Sequence, residues 1–556
     1  MKSVIKPPLS AGIAICALLS AVSCGSTDRG SGLNHMYDAA LCGNPGSLDP
    51  QYASDEAAAE VIRNLYRGLT ERDSSGSIVY AGAESCNISG DGTVYTFTLR
   101  EDNYWFFDEN NDDIIGEDEC FPVTADDYVF ALQRVLDPAM QSPYAEEFSG
   151  IKGAKDPETG AISAENAQLY AVDSKTLVVV LEEPDAEFLA RMASPAAYPC
   201  NREFFLSTKG RYGLDDRSVM SNGAFYVRQW FYDPYGVNNI LYMKRNEKNR
   251  TEEYEICPAY LSYSIEEDSA AVMKRLKDKE TECLSTYDRT PYSVRKYTIS
   301  AEAPVTLGLI FNHENTLWSS PSMRNALARS IDRAAVDREL SEDGNTDIST
   351  ASGLIPPAVT LLGRSYRELS SDRQFDMYDP DSAAKSVSDT KSASGISSFE
   401  AVRILVSSEA QCSSYLHRLS QRWQDVFGVY IGIDEVTPEE FEERIESGEY
   451  SIALYPLICG AGSTGTGEAY FRQLETEPCL KYCTGGLTLT PELRKCSSAE
   501  ELVEKYTAAE KIVLETQEFI PLFYKNRYLI MDNDNEGIGF DPFTGAADYR
   551  LALNFS

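Results

Sequence analysis

Residues 93–138 read "TVYTFTLREDNYWFFDENNDDIIGEDECFPVTADDYVFALQRVLDP", and the hydrophobic period changes along them. From Thr93 to Asp102 the period is two, with Tyr95, Phe97 and Leu99 on one face and Thr96, Thr98 and Arg100 on the other. That alternation predicts a half-buried strand. From Val123 the period is helical, and Tyr128, Leu132, Val135 and Leu136 form the apolar stripe. Thr124 is placed to cap the helix, Asp127 stands at the capping-box position, and Asp137-Pro138 stops it. Strand and helix therefore share one short unit.

The mixture continues outward. "KTLVVVLEEP" (175–184) and "QEFIPLFYKNRYLIM" (517–531) read as strands. "SSPSMRNALARSIDR" (319–333) reads as a helix capped by Ser320, with Pro321 at its first position and Met323, Leu327 and Ile331 inward. "SVSDTKSASGISS" (386–398) reads as a Ser-rich loop. A chain of 556 residues is long enough for two or three globular units. Its 43% hydrophobic content with 11% aromatics excludes a disordered chain, and mixed elements throughout argue an α/β or α+β protein.

The N-terminus carries an export signal. Lys2 and Lys6 precede an apolar run from Ala11 to Val22, too short to span a bilayer as an ordinary helix. It ends "LLSAVSCGS", so Cys24 resembles the acylated first residue of a bacterial lipoprotein, with 1–23 as the signal and 24–33 as a tether. A plain secretory signal cut nearby is the alternative. Cleavage removes two lysines and no acid, so a net charge of −37 becomes −39. Such a surface is repelled by phosphate backbones and anionic lipid, which argues against nucleic acid as a partner and rests membrane attachment on the anchor.

Thirteen cysteines include Cys16 in the signal and Cys24; the remaining eleven are an odd number, so at least one is unpaired within the chain. Cys479-x3-Cys483 is the closest spacing, and zinc would need ligands that His35, His313 and His417 are too scattered to supply. Buried or paired thiols are expected.

The acidic stretch holds seven carboxylates between Asp108 and Glu119. Its spacing is close to an EF-hand loop: Asp108, Asn110 and Asp112 at the first, third and fifth positions, Ile114 offering a carbonyl, Glu119 twelfth. Asp113 stands where glycine is expected. A structural calcium and a solvated acidic turn stay open as alternatives, and no cofactor is otherwise required.

The order of segments resembles the family 5 extracellular solute-binding proteins of ABC importers, on their oligopeptide-binding branch. The resemblance rests on "NPGSLDPQYA", "NLYRGLTERDSSGSIVYAGAESCNISGDGTVYTFTLRED", "VTADDYVFALQRVLDPAMQSPYAEEF", "AVDSKTLVVVLEEP", "SNGAFYVRQW", "FNHENTLWSSPSMRNALARSIDR" and "GLIPPAV" in succession. It implies an α/β fold of two lobes, of the periplasmic-binding-protein type II-like kind (cluster C). Lobe I would comprise 34–76, 196–303 and 520–556, with a small domain inserted at 77–195, and lobe II 304–519. Two strands near Val305–Asn312 and Phe519–Tyr524 would form the hinge, and lobes closing on a ligand would involve no covalent step. The implied role is a monomeric, lipid-anchored receptor on the outer face of the cytoplasmic membrane (periplasmic in a Gram-negative cell). It would deliver extended oligopeptides to permease subunits. In relatives the acidic stretch is a short turn, so it is an insertion on the small domain.

Site residues follow from the same resemblance. Tyr144 of "SPY" would line the cleft, and Asn312 would offer a donor and an acceptor. At Cys459, Gly460 and Ala461 the family usually carries an aspartate that pairs with the ligand's α-ammonium; here Gly460 takes its place. Ser54, Asp55 and Glu56 would stand on the opposite lip, where Asp55 or Glu56 would take over the role, unless both are solvated first-turn residues of a helix. The lost aspartate keeps a second solute class open: an oligosaccharide, metal chelate or capped peptide. An exported hydrolase is the third reading; neither a nucleophile elbow nor an H-E-x-x-H site occurs, so no enzymatic activity is expected.

Overall fold

A computed structural model describes residues 35–73, 76–112, 116–236, 238–252, 254–289, 292–314, 317–361, 363–370, 377–394, 402–428, 430–459 and 465–555. The opening stretch folds as its periods predict. Val94–Leu99 is a strand with Tyr95, Phe97 and Leu99 buried, and Ala125–Leu136 is a helix. Asp127 Oδ2 accepts from the Thr124 amide at 2.8 Å and from Trp105 Nε1 at 3.0 Å, so one carboxylate closes the helix start and satisfies a buried indole. Thr176–Val180 pairs with Val94–Leu99 in a four-stranded antiparallel sheet with Ala83–Ile88 and Leu169–Asp173.

A second four-stranded sheet joins Met36–Cys42 in parallel to Tyr260–Glu266, then Ile240–Arg245 and Phe225–Phe231 antiparallel. One apolar core serves both sheets: Tyr37, Leu41, Leu65 and Tyr263 pack in the same cluster as Phe97, Trp105, Tyr128 and Leu132. The segment 77–195 has its own sheet but shares that core, so it is fused to lobe I.

Two long strands, Tyr297–Phe311 and Phe519–Asp532, run antiparallel through a seven-stranded sheet. Their register shifts between Glu302 and Val305. On one side of the shift Leu529 and Met531 belong to the lobe I core; on the other Val305, Leu307, Leu309, Ile520 and Leu522 belong to the core of lobe II. The ladder is thus one continuous connection between two separately packed bodies. The crossing strands extend beyond the expected hinge spans because further strands flank the ladder, Cys283–Thr286 along Phe519–Asp532 in lobe I and Ile452–Leu457 along Tyr297–Phe311 in lobe II.

One expectation fails. The Ser-rich stretch is helical as far as Ser394, in a helix Pro380–Ser394; 395–398 lies outside the described residues. Ala383 and Val387, four apart, dock on the lobe II core, and tertiary burial outweighs the weak helix preference of serine. Cys24, the signal and the tether also lie outside the described residues, and among those described no helix is long and apolar enough to cross a membrane. The eleven cysteines after Cys24 are all free thiols, seven of them buried.

Candidate ligand-binding cleft

The lobes face each other across the register shift, and the strand that crosses it carries two cations into an otherwise apolar sequence. Lys525 and Arg527 are both buried, and the Tyr287 ring lies 5.1 Å from the Lys525 ammonium and 4.9 Å from the Arg527 guanidinium. Burial holds the Lys525 ammonium below its ordinary value. Arg527 donates to Ser285 Oγ at 3.0 Å and pairs with Glu56 Oε2 at 2.9 Å. That pair is lopsided: the Arg527 side chain is 4% exposed and that of Glu56 63%. Gly545, at φ +77°, lies over the guanidinium so closely that a Cβ would fall on it.

From lobe II, Cys459 comes to the same place. Its buried thiol is hydrogen-bonded to the Tyr470 hydroxyl, whose own proton is donated to Pro304 O at 2.5 Å, and it lies within electrostatic reach of Tyr287 and Arg72. Arg72 of lobe I reaches Thr360 Oγ1 of lobe II at 3.2 Å. A crevice of about 240 Å³ opens beside it, lined by Arg63, Arg72, Glu302, Thr360, Asp541 and Phe543. Another hollow, of about 580 Å³, is lined by Asp38, Asn239, Ser262 and Glu266 of lobe I and by no residue of lobe II.

The structure separates the residues that sequence reasoning grouped together. Glu56 and Cys459 are both within electrostatic reach of Tyr287, and Ser54 and Glu56 are exposed. Gly460 and Ala461 lie outside the described residues. Asp55 is a helix cap: Oδ1 accepts from the Ala58 amide at 2.7 Å and Oδ2 from Gly46 at 3.2 Å, so it is spent on local structure. Tyr144 donates its hydroxyl to Ala53 O and is buried, which makes it a strut under the lip. Asn312 is corrected outright. Its amide donates to Gly448 O at 2.8 Å and Tyr450 O at 3.0 Å, at the opposite end of strand Ile452–Leu457 from Cys459. The six-residue strand, roughly 20 Å long, lies between them.

The acidic loop is also spoken for. Asp108 Oδ2 pairs with Arg228 at 2.6 Å, while Arg217 donates to the carbonyls of Asp108 and Glu109. Glu119 accepts from the amides of Glu109 and Gly116, both at 2.9 Å, and the Asn110 and Asp108 side chains accept from the Asp112 amide. An arginine neutralises the position that calcium would take first. Ile114 lies outside the described residues, and among those described no three metal-ligating side chains converge.

Arg527 was missed by sequence reasoning, though a signal existed: a strand buried almost throughout has no use for two cations unless something meets them. Two bodies joined by a two-strand ladder, with polar groups gathered where they meet, define a receptor that encloses a solute. The family described as bacterial extracellular solute-binding proteins, family 5 (its middle portion), matches residues 77–472, and the chain belongs to that family. A dipeptide-binding protein of Lactococcus lactis is 24% identical over 532 residues, covering 91% of this chain and 92% of the relative. A probable deoxycholate-binding periplasmic protein of Escherichia coli is 26% identical over 57% of this chain, which spans just over half (56%) of that relative's length. Among solved structures, an oligopeptide-binding protein of Listeria monocytogenes bound to peptide superposes with a TM-score of 0.66 at 20% identity, covering 94% of this chain and 99% of that one. The match establishes the same two-lobed fold.

Proposed function

We propose that this chain is the surface receptor of an ABC importer, enclosing an extended peptide between lobe I and lobe II and passing it to permease subunits in the membrane. The observation that carries the reading is the crossing ladder with Glu56, Arg527, Tyr287 and Cys459 gathered beside it. An extended ligand there would meet one charged pair, Glu56 with Arg527, which suits capture of a peptide terminus rather than of particular side chains. The names of the Lactococcus and Listeria proteins support the solute class. Cys24 supplies the anchor in this reading, so Cys24→Ala should release the mature protein from the membrane fraction.

With Asp55 committed to its helix, Glu56 is the carboxylate left for an α-ammonium. Holding one would draw it from Arg527. Calorimetry with tetra-alanine and its N-acetyl form tests this. A charge-assisted hydrogen bond is worth ~1.5–3 kcal/mol, so acetylation should weaken binding roughly ten- to a hundredfold, and Glu56→Gln should erase the difference. One observation favours a second reading, a capped or non-peptide solute in the same role: the Glu56 charge is already balanced by Arg527. Equal binding of both peptide forms by the wild type would select it.

A further inference from the structure

The small domain touches lobe II through charge rather than through apolar packing. Among the described residues, neither apolar cluster of lobe II contains a residue of 77–195. What joins them is a buried ion cluster. Arg191 of the small domain is 2% exposed and pairs with Glu468 of lobe II, itself 1% exposed. Arg191 Nε also holds Asp185 at 2.8 Å, in its own domain. Glu468 is gripped by Arg472 at 3.0 Å and Arg494 at 2.7 Å, both from lobe II. Arg472 reaches back across the seam to Glu147 at 3.1 Å, Arg494 to Glu146 O at 2.8 Å and Ser149 Oγ at 3.0 Å, and Tyr506 donates to Glu187. Gly467 makes this fit: a Cβ there would strike the Tyr506 ring, whose hydroxyl accepts from the Glu468 amide at 2.8 Å.

We propose that Arg191 and Glu468 are the positioning residues of the captured state, a cross-lobe clamp that holds the small domain against lobe II and takes up a proton as it closes. The inference rests on the capture reading above. Three arginines (Arg191, Arg472, Arg494) meet four carboxylates (Asp185, Glu187, Glu468, Glu147), so the buried cluster carries one acid too many. Burial pushes the Glu468 carboxyl up, but Arg191, Arg494 and Arg472 more than reverse this and keep it ionised. Glu187 is left over. Burial, only partly offset by Arg191 and the Tyr506 hydroxyl, pushes it up to about 7; it also faces Asp185 and Glu468, and Arg72 of lobe I feels its charge. Burial raises Glu147 too, against Arg472 and Arg191, with Glu468 adding to the rise and Tyr144 nearby.

The sign follows. In open lobes both acids face water and titrate near the ordinary 4.5; in closed lobes Glu187 holds its proton to about 7. Closing therefore binds a proton between those values and is favoured as pH falls. Arg191 Nη1, Glu147 Oε2 and Arg472 Nε have no hydrogen-bond partner among the described residues, so the clamp is incompletely satisfied and releases readily.

Small-angle scattering of the ligand-free mature chain at pH 5.5 and 8 reads the clamp without any ligand. The wild type should contract on acidification. Glu187→Gln, which mimics the protonated acid, should be contracted at both pH values, and Arg191→Met extended at both, with thermal melts showing each variant folded. Calorimetry with tetra-alanine should show affinity rising about five- to tenfold per pH unit lowered between 6.5 and 5.5, and Glu187→Gln should lose most of that slope. A wild-type shape indifferent to pH, or an unchanged slope in the Glu147→Gln, Glu187→Gln double variant, overturns the clamp. Absence of tetra-alanine binding with the pH-dependent contraction intact would fail the peptide reading and leave the clamp standing.

Discussion

Two arginine–carboxylate clusters border the small domain, and they differ in what lies beneath them. On the lobe I side Asp108 meets Arg228 above a continuous apolar core that both segments share. On the lobe II side Arg191 meets Glu468 with no shared apolar cluster among the described residues. The chemistry is the same and the consequence is opposite. A buried ion pair contributes little net stability against the desolvation of its charges, so it does not hold two bodies together permanently. Burial of apolar side chains does. The first contact is therefore part of the fold, and the second is free to open.

The contrast can be broken in order of size. Arg228→Met leaves Asp108 buried without its cation and should cost about 3–5 kcal/mol of global stability, read by denaturant unfolding. Arg472→Met removes a cation of comparable burial on the other side, yet the seam opens to water and rehydrates Glu147 and Glu468. Its global cost should stay below about 1 kcal/mol while the contracted form is lost. Equal costs would mean that the small domain is fused to both lobes.

Folding should also respond to pH through groups inside lobe I. Burial pushes Glu60 up to about 7, with the Ala547 amide opposing, and Glu282 up to about 8. Both hold protons in the folded chain that the unfolded chain releases near 4.5. Their contribution is complete below that value and is lost as pH rises through 7 to 8, by about 1 kcal/mol or more each. Glu60→Gln should flatten that part of the profile, measured as unfolding free energy from pH 5 to 9. It should leave the contraction of the seam untouched.

Two smaller effects sharpen the picture. Millimolar calcium should leave the wild-type melting temperature unchanged, because Arg228 already neutralises Asp108; a clear rise would restore the calcium reading of the loop. At the surface, Lys274→Ala removes a pair with Asp278 at 2.6 Å on an exposed helix and should leave the unfolding midpoint essentially where it is in the wild type.

How much of this was legible beforehand varied by element. The strand at 94–99 and the helix at 125–136 follow from local rules, because periodicity and a capping box are written within one turn of chain. The helix at 380–394 was not legible, since serine is its commonest residue and, of its residues, Ala383 and Val387 pack in the lobe II core. In the cleft, segment order pointed to Glu56 and Cys459, which both come near Tyr287, whereas Asp55 and Asn312 are spent on a helix start and a strand end. A polar side chain in sequence does not say whether backbone or ligand will claim it.

The sequence by itself determined the family, the class of fold and the periodic elements, because these depend on short-range pattern and on the succession of segments. Only the tertiary structure decided which charges meet. Arg191 and Glu468 are 277 positions apart, as subtraction of their numbers gives, and Glu56 and Arg527 further still. An ion pair needs proximity and loss of water together, and neither is encoded until distant elements have packed.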